Sequence, residues 1–171
     1  MMLKNFSLTV GRFAAAGCLL VGLAGTTLAA AAPASASGGW VLLKNMNSGL
    51  CLHASSGGGP GAWVTQENCN REERGQWWYF GPLHAGDTVY SRLYNSYGNC
   101  LDTWNGYNPG TVIVWSCNYG RSQDVAMGSY SNLQSGSNSV EPPGMSGQSG
   151  TQMIIWPTNG SLNQGWVRVD L

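Results

Sequence analysis

GNCLDTWNGYNPGTVIVWSC, residues 98–117, is the stretch from which the architecture can be read. It opens on a Gly-Asn turn and passes through a short apolar triplet, Cys100-Leu101-Asp102. A turn-rich run follows through Asn105-Gly106 and Pro109-Gly110, then an apolar strand from Thr111 to Trp115, and a second cysteine closes the unit 17 residues after the first. No helical period of 3.6 residues is sustained in it. Apolar runs this short, between Gly, Pro and Asn signals this frequent, read as strands joined by turns.

The same features recur in the same order on both sides. NSGLCLHASSGGGPGAWVTQENC, residues 47–69, precedes GQWW at 75–78; SGSNSVEPPGMSGQSGTQMIIWPT, residues 135–158, precedes NQGW at 163–166. The central unit is followed by SQDV at 122–125. Each segment has a triplet (Cys51-Leu52-His53, Cys100-Leu101-Asp102, Ser139-Val140-Glu141), a Gly-rich turn, an apolar strand and a closing glutamine. The spacing between the first and second cysteine positions is 18, 17 and 19 residues, and Gln76, Gln123 and Gln164 recur after 47 and 41. Ordered agreement of this kind identifies three internal repeats. Further short apolar runs at 40–43, 77–80, 88–93, 153–156 and 166–169 place the chain among all-β sandwiches or barrels.

Residues 1–36 are of a different kind. Lys4 and Arg12 precede an Ala, Gly, Leu and Val run from Phe13 to Ala32, and Ala34-Ser35-Ala36 provides a small-residue cleavage site. The expectation is a secretory signal peptide over 1–36 and a secreted, extracellular domain over 37–171, with no membrane span left after processing. Cys18 lies only six residues beyond Arg12, which argues against lipoprotein processing. Loss of Lys4 and Arg12 leaves six basic against eight acidic residues, scattered and without a basic run, so nucleic-acid binding has no electrostatic footprint.

Four cysteines remain, and an even number in an exported chain reads as two disulfides with three possible pairings. The repeat selects Cys51–Cys69 and Cys100–Cys117, each expected to contribute about 3 kcal/mol in the chain-entropy model. Ser139 and Thr158 stand at those positions in the third repeat, which is expected to hold by packing alone. No C-x-x-C pair is present, so no metal and no cofactor is expected.

Three repeats of about 40 residues with C-L-D-type triplets, W-x-C and closing Q-x-W units resemble the ricin B-type lectins, over essentially all of 37–171. The resemblance implies a β-trefoil of three four-stranded lobes, here about 38–83, 84–128 and 129–171, with Trp78 and Trp166 in a shared core. It implies a shallow sugar pocket in each active lobe, made by a triplet carboxylate, an aromatic two residues before the second cysteine, and an Asn before the Q-x-W glutamine.

Carried over by position, the first lobe has His53, Glu67 and Gly75 there and reads as structural. The second keeps Asp102, Trp115 and Gln123 but has Ser122 for the Asn; Trp104, Tyr107 and Tyr119 stand nearby. The third keeps Trp156, Asn163 and Gln164, with Glu141 for the Asp. A carboxylate and an amide suit vicinal hydroxyls, and an aromatic face suits the C–H face of a sugar ring. The glutamines have an alternative reading as partners of backbone groups in the barrel, and Asp102 as a turn cap.

Catalysis finds no nucleophile motif around His53 or His84 and no facing carboxylate pair. The expected function is a non-catalytic lectin-like protein whose partner is a glycan, galactose-type or a bacterial surface polysaccharide. The alternative is a protein-binding adaptor, or a subunit of a secreted toxin-type complex, docking on a co-secreted protein through exposed tryptophans such as Trp63, Trp77 and Trp104.

Overall fold

The computed structural model describes residues 39–83, 89–103, 109–118 and 120–171. The expected signal peptide, His84, Trp104, Tyr107 and Tyr119 lie outside them. The described chain is all β, with single 3₁₀ turns between strands. The first repeat contributes β1 (Val41–Asn45), β2 (Cys51–Ala54), β3 (Val64–Glu67) and β4 (Trp78–Leu83). The second contributes β5 (Ser91–Asn95), β6 (Asn99–Asp102), the interrupted pair β7 (Gly110–Thr111) and β8 (Ile113–Ser116), and β9 (Ala126–Met127). The third contributes β10 (Leu133–Ser135), β11 (Asn138–Glu141), β12 (Ile154–Pro157) and β13 (Trp166–Asp170). All pairings are antiparallel, and β13 returns to pair with β1 from Val41↔Asp170 to Asn45↔Trp166. This is a β-trefoil.

The repeats meet on the pseudo-threefold axis. Val64, Val112 and Met153 hold the same place in their repeats, and all three are fully buried. The Val64 amide donates to the Val112 carbonyl at 3.1 Å, Val112 to Met153 at 3.1 Å, and Met153 back to Val64 at 2.8 Å. This closed ring pairs backbone groups that would otherwise be orphaned in an apolar interior. Leu43, Leu93 and Leu133 form a second buried set, and Leu52, Leu101 and Val140 a third. The Q-x-W tryptophans are buried among them. Trp78 donates its indole N–H to the Leu52 carbonyl at 2.9 Å and Trp166 to Val140 at 3.0 Å. Val125 takes this place in the second lobe, filling less volume without a polar tip.

The disulfides join Cys51 to Cys69 and Cys100 to Cys117, each with a Cα separation of 5.0 Å. The third lobe corrects the expectation of packing alone: Ser139 Oγ and Thr158 Oγ1 lie 2.7 Å apart, a hydrogen bond at the place of the missing bridge. The backbone there is therefore already close. The double substitution S139C/T158C is expected to form a third disulfide and stabilise the fold by roughly 2–4 kcal/mol. Thermal unfolding with and without reductant measures it; equal midpoints for the oxidised variant and the parent would count against this reading.

Candidate functional site

In the third lobe a hairpin, β11–β12, carries both halves of a candidate pocket. Glu141 at the end of β11 pairs across to Ile154, and Trp156 lies two residues further along β12. Period-2 alternation puts Ile154 and Trp156 on the face that Glu141 occupies, with Glu141 buried at 6% exposure and Trp156 42% exposed. The 3₁₀ turn Leu162–Gln164 brings Asn163 and Gln164 beneath them. Gln164 Nε2 donates to Glu141 Oε2 at 2.6 Å and to the Pro157 carbonyl at 3.0 Å, and its Oε1 accepts from the Asn159 amide at 2.8 Å. Burial raises the Glu141 pKa, opposed by hydrogen bonds from Gln164 and Asn163. Asn163 in turn accepts from Ser161 Oγ at 2.7 Å. Above this clamp is an open cavity of about 560 Å³, walled on the apolar side by Pro143, Met145, Ile154 and Trp156.

The second lobe repeats the clamp with a shorter acid. Gln123 Nε2 donates to Asp102 Oδ2 at 3.0 Å and to the Ser116 carbonyl at 3.0 Å, while Oε1 accepts from the Asn118 amide at 2.8 Å. The extra methylene of Glu141 thus does not carry its carboxylate away from the glutamine. Trp115 is 40% exposed and packs against the first lobe's Gly61, where a Cβ would sit 3.5 Å from its ring. Ser122, at the Asn163 position, has its carbonyl held by the Thr103 amide and hydroxyl at 2.8 and 2.9 Å.

The first lobe shows why it reads as structural. Gly75 occupies the Asn163 position, and a Cβ there would stand 2.5 Å from His53 Nε2, so the imidazole fills the space of the pocket. Glu67, at the platform position, accepts a hydrogen bond from Ser149 of the third lobe instead.

Two expectations need correction. Gln123 and Gln164 were expected among the sugar contacts, but both are fully buried, with their amide groups bonded to backbone and to the carboxylates. They orient the acid and do not line the open surface. Trp77, expected to be available at the surface, is half-buried and donates its indole N–H to the Arg71 carbonyl at 2.9 Å. What sequence reasoning missed is the pocket wall: Met145, with φ +57°, sits in a Gly-Pro-rich turn whose residues carry no motif.

Three pseudo-equivalent lobes, two of them with a carboxylate–glutamine clamp beside an exposed tryptophan, define a non-catalytic β-trefoil of the lectin class. Residues 39–166 match the ricin-type β-trefoil lectin domain, and the chain belongs to that family. No curated protein matches the chain by sequence. Among solved structures it is similar to ThreeFoil, a designed threefold-symmetric protein, at 24% identity and TM-score 0.69, over 77% of this chain and 99% of that one. It is similar to the agglutinin of Rhizoctonia solani at 18% identity and TM-score 0.70, over 82% and 100%. The C-terminal half of an earthworm R-type lectin, in complex with GalNAc, aligns at 11% identity and TM-score 0.64, over 78% and 99%.

Proposed function

We propose that this protein is a secreted lectin that holds an uncharged galactose-type sugar in the third-lobe pocket. The observation that carries the proposal is the clamp itself. A buried carboxylate is held by Gln164 and Asn163 beside the half-exposed Trp156, on the floor of an open cavity. Glu141 accepts from two ring hydroxyls, Asn163 supplies the neighbouring amide, and Trp156 covers the apolar ring face. Pro143, Met145 and Ile154 leave an apolar wall suited to a methyl-bearing substituent, so an N-acetylated or 6-deoxy sugar is favoured over the plain hexose. The GalNAc complex of the earthworm lectin supports the same direction. Asp102 and Trp115 form a second, weaker site. Among the described residues no helix is long and apolar enough to cross a membrane.

A glycan array that includes bacterial surface polysaccharides tests this on the parent, W156A and E141Q. Each variant is expected to lose at least 10-fold in affinity, the scale of a charge-assisted hydrogen bond of roughly 1.5–3 kcal/mol. An array blank for a correctly folded parent would remove the sugar reading and favour docking on a co-secreted protein.

The raised pKa gives a pH signature. Binding needs the ionised carboxylate, so affinity should fall on acidification with a midpoint above the ordinary 4.5. Stability runs the other way. The folded state disfavours the charged form, so Glu141's contribution is largest below 4.5 and declines as pH rises through the raised value. E141Q should therefore unfold no more easily than the parent at neutral pH while losing the sugar. A binding profile flat down to pH 4 would contradict the assignment.

A further inference from the structure

A second cleft lies on the wall of the barrel, away from the β2–β3-type hairpins that carry the lobe pockets. Trp40, just before β1, packs on Tyr79 of β4 with ring centroids 5.8 Å apart and planes at 55°. Tyr79 lies opposite Tyr94 of β5 in the strand ladder, with centroids 6.2 Å apart and planes at 44°. These rings, with Pro82, Ser96 and Gly98, border a cavity of about 390 Å³ that carries no ionisable acid or base other than the tyrosines. Its size falls in the range of small-molecule sites, about 300–1,000 Å³.

The cleft is built rather than incidental. A Cβ at Gly81 would stand 2.6 Å from Tyr94 Cε2, so Tyr94 lies down on β4 only because that position has no side chain. Trp40 is held by its carbonyl, which accepts from the Leu171 amide at 3.3 Å, yet its side chain is 40% exposed. Among the described residues no protein group is hydrogen-bonded to the Tyr79 hydroxyl, the Tyr94 hydroxyl or the Trp40 indole N–H. The lining of the cleft is mainly apolar ring surface, and the polar tips of the half-buried tyrosines and of the exposed Trp40 are left to solvent or a ligand. Apolar ring faces edged by free donors and acceptors, without net charge, match the chemistry of an uncharged pyranose.

We infer that the Trp40–Tyr79–Tyr94 cleft is a second carbohydrate site, taking consecutive residues of an uncharged linear polysaccharide. Three rings in succession suit a run of sugar units rather than one terminal sugar, so the probe must be a chain. With the third-lobe pocket it makes the monomer bivalent, and engagement of both sites by one polymer multiplies weak affinities through effective concentration. The inference rests on its own residues and does not require the third-lobe reading.

Calorimetric titration of the protein with cellohexaose, laminarihexaose, xylohexaose and mannohexaose tests it, in the parent and three variants. E141Q/W156A, which disables the third-lobe pocket, should still bind at least one hexaose as the parent does. W40A/Y94A should lose at least 10-fold for that hexaose. Y79F/Y94F, which keeps the rings and their packing, should lose about 5-fold or more, the scale of about 1 kcal/mol for a hydrogen bond. Binding abolished in E141Q/W156A and untouched in W40A/Y94A would overturn the second site while leaving the lobe pocket standing. No hexaose bound by E141Q/W156A overturns it as well. Concentration-dependent dimerisation lost in W40A/Y94A, with no hexaose bound, would also overturn it and assign the cleft to a second copy of the chain.

Discussion

Trp166→Ala is expected to lower the unfolding free energy by about 3–5 kcal/mol, the range for a fully buried large aromatic. Two effects combine. The indole leaves a cavity where β1 and β13 pair, and the Val140 carbonyl, 3.0 Å from the indole nitrogen, loses its donor in a dry interior. The Val140 strand also carries Glu141, so the loss reaches the site. Trp166→Phe restores most of the volume but not the donor, and should recover roughly half of the stability. Denaturant unfolding of the two variants separates the contributions; a Phe variant as weak as the Ala variant would show the hydrogen bond to dominate.

Gln164→Ala is the second large effect. It removes the acceptor of the Asn159 amide and the donor to the Pro157 carbonyl, and it deprives the buried Glu141 carboxylate of a contact at 2.6 Å. Leaving those groups unsatisfied is expected to cost about 3–4 kcal/mol. Sugar binding should fall by the same 10-fold or more as in E141Q, although Gln164 is fully buried and does not line the cavity. A double-mutant cycle with E141Q isolates the coupling, expected at about 1.5–3 kcal/mol. Zero coupling would mean that the glutamine serves the barrel alone. Near-UV circular dichroism at the assay temperature separates lost binding from lost fold.

The fold was legible because its signals are local and repeated. Each cysteine pair is 17 or 18 residues apart, each Q-x-W unit follows at a similar interval, and strands this short leave few other architectures. Of the candidate site, the residue types Glu141, Trp156 and Asn163 were legible, but not the burial of the glutamines. Sequence places Gln164 beside Asn163, yet the 3₁₀ turn points one toward the cavity and the other into the protein. The hydroxyl pair of Ser139 and Thr158 could not be anticipated either, since hydrogen bonding at 2.7 Å depends on strand geometry rather than residue type. The aromatic cleft carried no repeat signature at all; Trp40, Tyr79 and Tyr94 are scattered over 55 positions and meet only because β1, β4 and β5 are neighbours.

By itself the sequence determined three repeats, two disulfide loops, the lectin family and which lobes retain a carboxylate beside a tryptophan. These are properties of spacing and residue type, which a linear chain displays. Tertiary structure alone decided the rest: the hydrogen-bonded ring of Val64, Val112 and Met153, the His53 imidazole filling the first lobe's pocket over Gly75, and the meeting of three aromatic rings on the barrel wall. The physical reason is common to all three. Each depends on groups far apart in the chain being brought within contact distance, and at that range direction and burial, not composition, set the interaction.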